Sequence, residues 1–248
     1  MTAGLGQGVL RLADVVFPPT CVHCQGLVER GDEPNALRHL CTRCERELRY
    51  VHPPCCTACG HPFYGEVEGE RTCPHCVQLV PAYREGRTAV LLKGPARSLV
   101  HELKYHRGLQ VVRDLGEIFR RSPPVLDLVR GGVLVPVPLH PRKEREREYN
   151  QSALLAEELA RVAGGGTRVV PLLRRVVDTD TQTHRDRRER QRNLKNAFAL
   201  ARPPGFHAGQ HLILIDDVFT TGSTLNSCAL ALRRAGCVNL DVVTLGHG

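Results

Sequence analysis

No apolar run in this 248-residue sequence approaches the length of a membrane span. The stretch Met1–Pro19 lacks the basic flank and small-residue cleavage site of a secretory signal. It reads instead as a short amphipathic helix, with Leu5, Val9, Leu12, Val15 and Val16 at helical spacing and Pro18-Pro19 as its stop. Lysine is scarce, and nearly all of the 34 basic residues are arginine, whose planar fork grips phosphate well. Against 26 acidic residues they leave a net charge of +8, which favours phosphorylated or polyanionic partners and says nothing about fold. The region before residue 80 is poor in large apolar side chains, so it would not fold unaided.

What that region has instead is cysteine. Nine of the 11 cysteines lie between Cys21 and Cys76, and eight of them form four C-x-x-C pairs. Without a secretory signal, metal ligation is expected over a disulfide framework. Cys21/Cys24 and Cys41/Cys44 are separated by sixteen residues, and Cys56/Cys59 and Cys73/Cys76 by thirteen, spacings at or near those of zinc ribbons. Two structural Cys₄ zinc sites, paired sequentially, are expected; crossed pairing, substitution of Cys56 by Cys55, ligation by His23, His39, His61 or His75, and an iron–sulfur cluster are the alternatives. A closed Cys₄ set leaves no open position for catalysis. Cys228 and Cys237 read as small core residues.

After residue 80, apolar runs alternate with amphipathic stretches. Strands are expected at Thr88–Leu92, Val133–Val137, Arg168–Val170, Phe198–Leu200, Leu212–Ile215 and Val238–Leu245. Helices are expected at Ala96–Tyr105, Val111–Arg121, Ser152–Val162 and Ser223–Arg234, with a polar loop after Val137. This alternation predicts an α/β fold, a mostly parallel sheet with helices on both faces. The division expected is an N-terminal helix and double zinc-ribbon unit over 1–80 and an α/β domain over 81–248.

One segment carries most of the chemistry: Ile213-Leu214-Ile215-Asp216-Asp217-Val218-Phe219-Thr220-Thr221-Gly222-Ser223-Thr224-Leu225. An apolar strand ends in two carboxylates, which suit vicinal hydroxyls or a Mg²⁺ shell. A small-residue loop then enters a helix, whose N-terminus favours phosphate. Each feature alone is compatible with an ordinary strand, turn and capped helix. In this order they closely resemble the 5-phosphoribosyl-1-pyrophosphate (PRPP) binding motif of type I phosphoribosyltransferases. By that resemblance Asp216 and Asp217 hold the ribose hydroxyls of Mg²⁺-PRPP, and Thr220, Thr221, Gly222, Ser223 and Thr224 hold its 5′-phosphate.

Further stretches narrow the likeness. Val135-Pro136-Val137-Pro138-Leu139-His140 leads into an arginine-rich run through Gln151, and Thr179-x-x-Gln182, Arg190-x-x-Asn193, Ala197-Phe198 and Leu103-Lys104-Tyr105 lie elsewhere. With the four cysteine pairs, these resemble the ComF family of competence-associated proteins and its GntX relatives over almost the whole chain. The resemblance implies a type I phosphoribosyltransferase-like domain behind a double zinc ribbon, a cytoplasmic location and a role in DNA uptake during natural transformation. It also implies single-stranded DNA and a competence helicase or DNA-processing protein as partners. Arg142, Lys143, Arg145, Arg147 and Lys104 are the candidates for gripping pyrophosphate. Glu144, Glu146 and Glu148 interleave with the loop cations and leave only +1 over 142–148. Glu148 also replaces the glycine usual in the family's Arg-Gly-Phe-Asn, and the end Thr244–Gly248 lacks the basic residue relatives often carry there.

The stretch 184–195 holds Arg185, Arg187, Arg188, Arg190, Arg192 and Lys195 against Asp186 and Glu189, a net of +4, and is the candidate for a nucleic-acid backbone. It has no interleaved aromatics, so base stacking there is not suggested. In type I phosphoribosyltransferases the corresponding region often closes over substrate, which gives these arginines a second reading; a solvated loop is the third. Three functions follow: a DNA-uptake factor that binds PRPP, an active phosphoribosyltransferase of nucleotide metabolism, and a PRPP sensor without chemistry. No base-recognition motif is evident.

Overall fold

Two strands carry apolar side chains on both faces, and the architecture is built around them. The structure, a computed structural model, describes residues 19–28, 37–65, 69, 71–176, 197–201 and 205–248. The expected N-terminal helix, Thr179, Gln182, Asn193 and the whole Arg185–Lys195 segment lie outside the described residues. Within them the elements are α1 (Thr42–Arg46), α2 (Pro74–Leu79), β1 (Gly86–Leu91), α3 (Gly94–Tyr105), α4 (Val112–Arg120), α5 (Pro123–Val129), β2 (Val133–Pro136), α6 (Pro141–Arg147) and α7 (Gln151–Ala163). β3 (Arg168–Val169), β4 (Leu173–Arg175), β5 (Phe198–Leu200), β6 (Leu212–Phe219), α8 (Ser223–Arg234) and β7 (Leu240–His247) follow.

Five strands form one parallel sheet in the order β1-β7-β6-β2-β3. The apolar runs of β2 and β6 lie inside it, as strands buried on both faces should. The two-residue strand period sorts their side chains. Leu134, Ile213, Ile215, Val243 and Leu245 face a core shared with α3, α4, α5 and α7. Val133, Val135, Leu212, Leu214 and Val242 face a second core with α8. On the first side Leu155 and Leu159 of α7 are fully buried, each contributing roughly 1.5–3 kcal/mol.

The cysteine module divides between these cores. Cys21 and Cys44 belong to the first, and Cys56, Cys59, Cys73 and Cys76 to the second, so the two cysteine groups lie against opposite faces of the sheet. The chain between them runs along the outer side of β1. There the Val51 N–H donates to the Ala89 carbonyl and the Leu91 N–H to the Arg49 carbonyl, both at 2.9 Å. Close backbone approaches fix the second group: the Thr88 hydroxyl donates to the Cys59 carbonyl (2.9 Å), and a Cβ on Gly86 would sit 2.0 Å from the Ala58 oxygen.

Three local expectations are corrected. The arginine-rich stretch expected as a loop is the helix α6, started by Pro141 and by the His140 ring, whose Nδ1 accepts from the Arg142 N–H at 3.3 Å. None of its residues is buried, so no apolar period marks it. β6 does not stop before the acidic pair but continues through Phe219. Phe198–Leu200 pairs antiparallel with β4 in a separate two-stranded sheet rather than joining the parallel one.

Candidate functional site

β2 ends at Pro136, opposite Ile215, while β6 runs on beside β7 with Asp216 opposite Thr244 and Phe219 opposite His247. The connection from β2 leads to β3 on one side, and that from β6 to β7 on the other. Such a reversal opens a crevice beyond the carboxyl ends of the two strands, where ligands of open α/β sheets bind. Asp216 and Asp217 lie at that point.

Four consecutive residues, Tyr149 to Ser152, build the wall facing them. Asn150 caps α7: its Oδ1 accepts from the Ser152 N–H (3.0 Å), and its Nδ2 donates to the Val137 carbonyl just beyond β2 (3.0 Å). The Tyr149 hydroxyl donates to the Leu103 carbonyl and ties the last turn of α3 to the same place. The first turn of α7 then reaches the acids. Ser152 Oγ donates to Asp216 Oδ1 at 2.9 Å, and Gln151 Nε2 donates to Asp217 Oδ2 at 3.2 Å. Lys104 Nζ, from α3, lies 2.9 Å from Asp217 Oδ2. Gln151 is buried, and its Oε1 has no hydrogen-bond partner among the described residues.

Two adjacent, coupled carboxylates of which one is buried do not ionise independently. Burial, and then the charge of Asp217, push the Asp216 carboxyl up to about 7, although Ser152, the Asp217 N–H and Lys104 pull it back. At the opposite end of the sheet the buried Asp241 shows the converse. Burial would raise it, but hydrogen bonds from His211 (2.7 Å) and Arg84 (2.6 Å) outweigh that and hold it below the usual range. Partners hold Asp241 in its charged form, whereas burial and the charge of Asp217 favour the protonated form of Asp216.

The loop after β6 turns on Gly222, whose φ of +69° suits glycine and which is the N-cap of α8. Gly222 has no side chain to cap that helix, and the Ser223 N–H at its start donates to Thr221 Oγ1 at 3.4 Å. Thr220 and Thr221 are exposed; the Thr221 hydroxyl donates to Ser223 Oγ at 3.1 Å, and Ser223 and Thr224 are half-buried. A glycine turn, four hydroxyls and the start of a helix thus lie together beyond the end of β6.

Of the five candidate pyrophosphate cations, only Lys104 contacts the acidic pair. Arg142 pairs with Glu146 at 3.0 Å, and Arg147 lies over the Tyr105 ring at 5.5 Å. Lys143 and Arg145 lie on the same exposed helix, α6. Glu148 has φ +69°, a left-handed conformation that favours glycine, and pairs with Arg107 at 3.1 Å. Ser152 and Gln151 were missed as acid partners in the sequence. The signal for them was Asn150, a helix N-cap immediately before an apolar-periodic stretch.

The thiols form two groups, Cys21/Cys24/Cys41/Cys44 and Cys56/Cys59/Cys73/Cys76, each with its sulfurs within 4.8 Å of one another. Cys24–Cys41 and Cys59–Cys73 separations are 3.7 and 3.8 Å. Disulfides would need ~2.05 Å, whereas a tetrahedron with ~2.3 Å Zn–S bonds has edges of this size. N–H groups of Cys73 and His61 donate to Cys56 Sγ (3.2 Å) and Cys59 Sγ (3.4 Å), as thiolates in knuckles require. His23, His39, His61 and His75 are engaged with Ser98, Asp114, the His247 ring and the Thr221 carbonyl respectively, and Cys55 lies outside the second group. Both groups fit structural zinc, paired sequentially.

The double zinc ribbon domain family matches residues 12–77. A DNA utilization protein YhgH of Salmonella typhi is 34% identical over 84% of this chain and 91% of its own length. Competence protein F of Haemophilus influenzae is 28% identical over 90% of this chain and 94% of its own. A solved glutamine PRPP amidotransferase from B. subtilis overlaps 55% of this chain and 27% of its own with a TM-score of 0.36 and 18% identity, too distant to weigh on the assignment. Fold and sites define a double zinc ribbon joined to a parallel α/β domain. The chain belongs to the ComF family of competence and DNA-utilization proteins.

Proposed function

We propose that this chain is a cytoplasmic DNA-uptake factor of natural transformation that binds Mg²⁺-PRPP through residues 81–248 and single-stranded DNA through its basic segment. The observation that carries the ribose-phosphate half is the Asp216–Asp217 pair, half-buried and buried respectively, held by Ser152, Gln151 and Lys104 and followed by the Gly222-capped helix. The carboxylates suit the 2′- and 3′-hydroxyls or the Mg²⁺ shell, and the start of α8 suits the 5′-phosphate. The DNA half is supported by the relatives' names and by the +4 charge of residues 184–195. A competence helicase or DNA-processing protein is the partner class in keeping with that role.

Calorimetry of Mg²⁺-PRPP with the intact protein and with Asp216→Ala/Asp217→Ala tests the site. Loss of binding in the double variant is expected, and equal binding overturns the assignment. A gel shift at low salt tests the DNA half, and no single-stranded DNA complex there counts against it.

A second reading, turnover of PRPP with release of pyrophosphate, is favoured by one observation: Asp216 titrates near neutrality in the candidate site, as groups in active sites often do. Pyrophosphate release across a panel of nucleobases decides it, and no release with any base removes it.

A further inference from the structure

Helix α2 stands between the second cysteine group and the loop that follows β6, and it touches both. Cys73 precedes it and Cys76 lies in it. His75, between these two thiols in sequence, places Nε2 3.0 Å from the carbonyl oxygen of Thr221. Leu79, the last residue of α2, lies under Gly222: a Cβ there would come within 2.7 Å of Leu79 Cδ2 and 2.5 Å of Phe219 Cζ. The chain leaving α2 is sewn to the first turn of α8. Asn226 Nδ2 donates to the Leu79 carbonyl at 3.3 Å, and the Ala82 N–H donates to Asn226 Oδ1 at 2.7 Å. On the other side Phe219 stacks on His247 at 5.3 Å, and His247 packs against His61 at 4.8 Å, two residues beyond Cys59.

A six-residue helix does not hold its shape or place in isolation. α2 owes both to the two thiols it brings to the metal centre and to its contacts with the loop. The first cysteine group packs with the core on the other face of the sheet.

We propose that His75 and Leu79 are positioning residues for the phosphate loop, and that zinc in the second centre, not the first, sets how tightly that loop holds a ribose 5-phosphate ligand. The proposal rests on the ribose-phosphate reading above and adds a control to it. Linkage makes the coupling reciprocal, so ligand in the loop tightens zinc in the second centre by the same factor.

The test uses the zinc-loaded full chain as wild type, His75→Ala, Leu79→Ala and Val77→Ala, the last on the same helix but exposed. Three quantities are measured: zinc content, amide hydrogen exchange over residues 220–226, and Mg²⁺-PRPP affinity. His75→Ala and Leu79→Ala are expected to keep both zincs, exchange faster in the loop and bind about three- to tenfold more weakly, the worth of one positioned contact. Val77→Ala is expected to match wild type. Stepwise chelation, with cysteine alkylation mapped by mass spectrometry, separates the centres. Cys24 is exposed whereas all four thiols of the second group are buried, so the first centre empties first, and loop exchange changes only with the second. Wild-type exchange and affinity in both variants, or loop exchange that follows the first centre, overturns the coupling. Wild-type protein that takes up no PRPP sinks the ribose-phosphate reading instead, and loop exchange alone then decides the coupling.

Discussion

Lys104 Nζ lies 2.9 Å from Asp217 Oδ2, joining the last turn of α3 to β6 across the crevice. Its ammonium is the one described cation in contact with the acidic pair and lowers the proton affinity of Asp216 as well. Replacement by methionine keeps the stem and removes the charge. Lys104→Met is expected to lower unfolding free energy by about 1–2 kcal/mol, less than for a fully buried pair because the lysine is partly exposed. It is also expected to move the pH midpoint of ligand affinity upwards. Urea titrations and affinity measured across pH check both, and a midpoint that stays put refutes the role of Lys104.

Asp216 makes stability and binding run in opposite directions with pH. Its folded pKa, about 7, lies above its ordinary 3.8, so the fold favours the protonated acid. That contribution is fully present below about pH 4 and is lost as pH rises through about 7. Hydroxyl donors or a cation need the ionised form, so ligand affinity rises over the same interval. Asp216→Asn is expected to flatten the stability profile, melt higher than wild type above neutrality and lose ligand. Denaturation across this range tells, and a wild-type slope surviving in the variant would falsify the assignment.

Glu148 occupies a left-handed backbone conformation at φ +69°. A non-glycine residue there costs about 1 kcal/mol, and its ion pair with Arg107, 62% exposed on each side, contributes little in return. Glu148→Gly is expected to raise Tm by about 2–4 °C and to strengthen PRPP binding by taking a negative charge from the α6 border. A thermal melt and a PRPP titration check it; a lower Tm contradicts it.

How much of this could be read from residues alone differs by kind of signal. β6 and α8 announced themselves through the apolar run Leu212–Ile215 and the periodicity of Ser223–Arg234, and the sequential cysteine groups through spacing. α6 did not, because a helix exposed on all sides has no apolar period. The strand's passage through Asp216 and Asp217 was hidden because β7 supplies the pairing, and carboxylates usually signal a turn. The partners of the acids were hidden for a similar reason. Lys104 and Ser152 come from distant elements that only the sheet brings together.

The basic segment calls for a salt experiment. If Arg187 and Arg188 contact phosphates, each one lost shallows the slope of log affinity against log salt by about 0.7 for single strands. Arg187→Ala/Arg188→Ala is expected to flatten it by about 1.4, without preference among DNA sequences. Titration of fluorescent single-stranded DNA at several salt concentrations reads the slope, and an unchanged slope removes these two arginines from the interface.

The strap of residues 49–51 along β1 has a consequence of a different kind. β1 is the outermost strand of the sheet, and Gly86-Arg-Thr-Ala-Val-Leu91 is the sort of edge that recruits a like edge from another copy. The strap lies in sequence between the two cysteine groups and covers that edge. Its hydrogen bonds at Val51 and Leu91 occupy ladder positions that the edge of a second copy would need, so the strap keeps like edges apart.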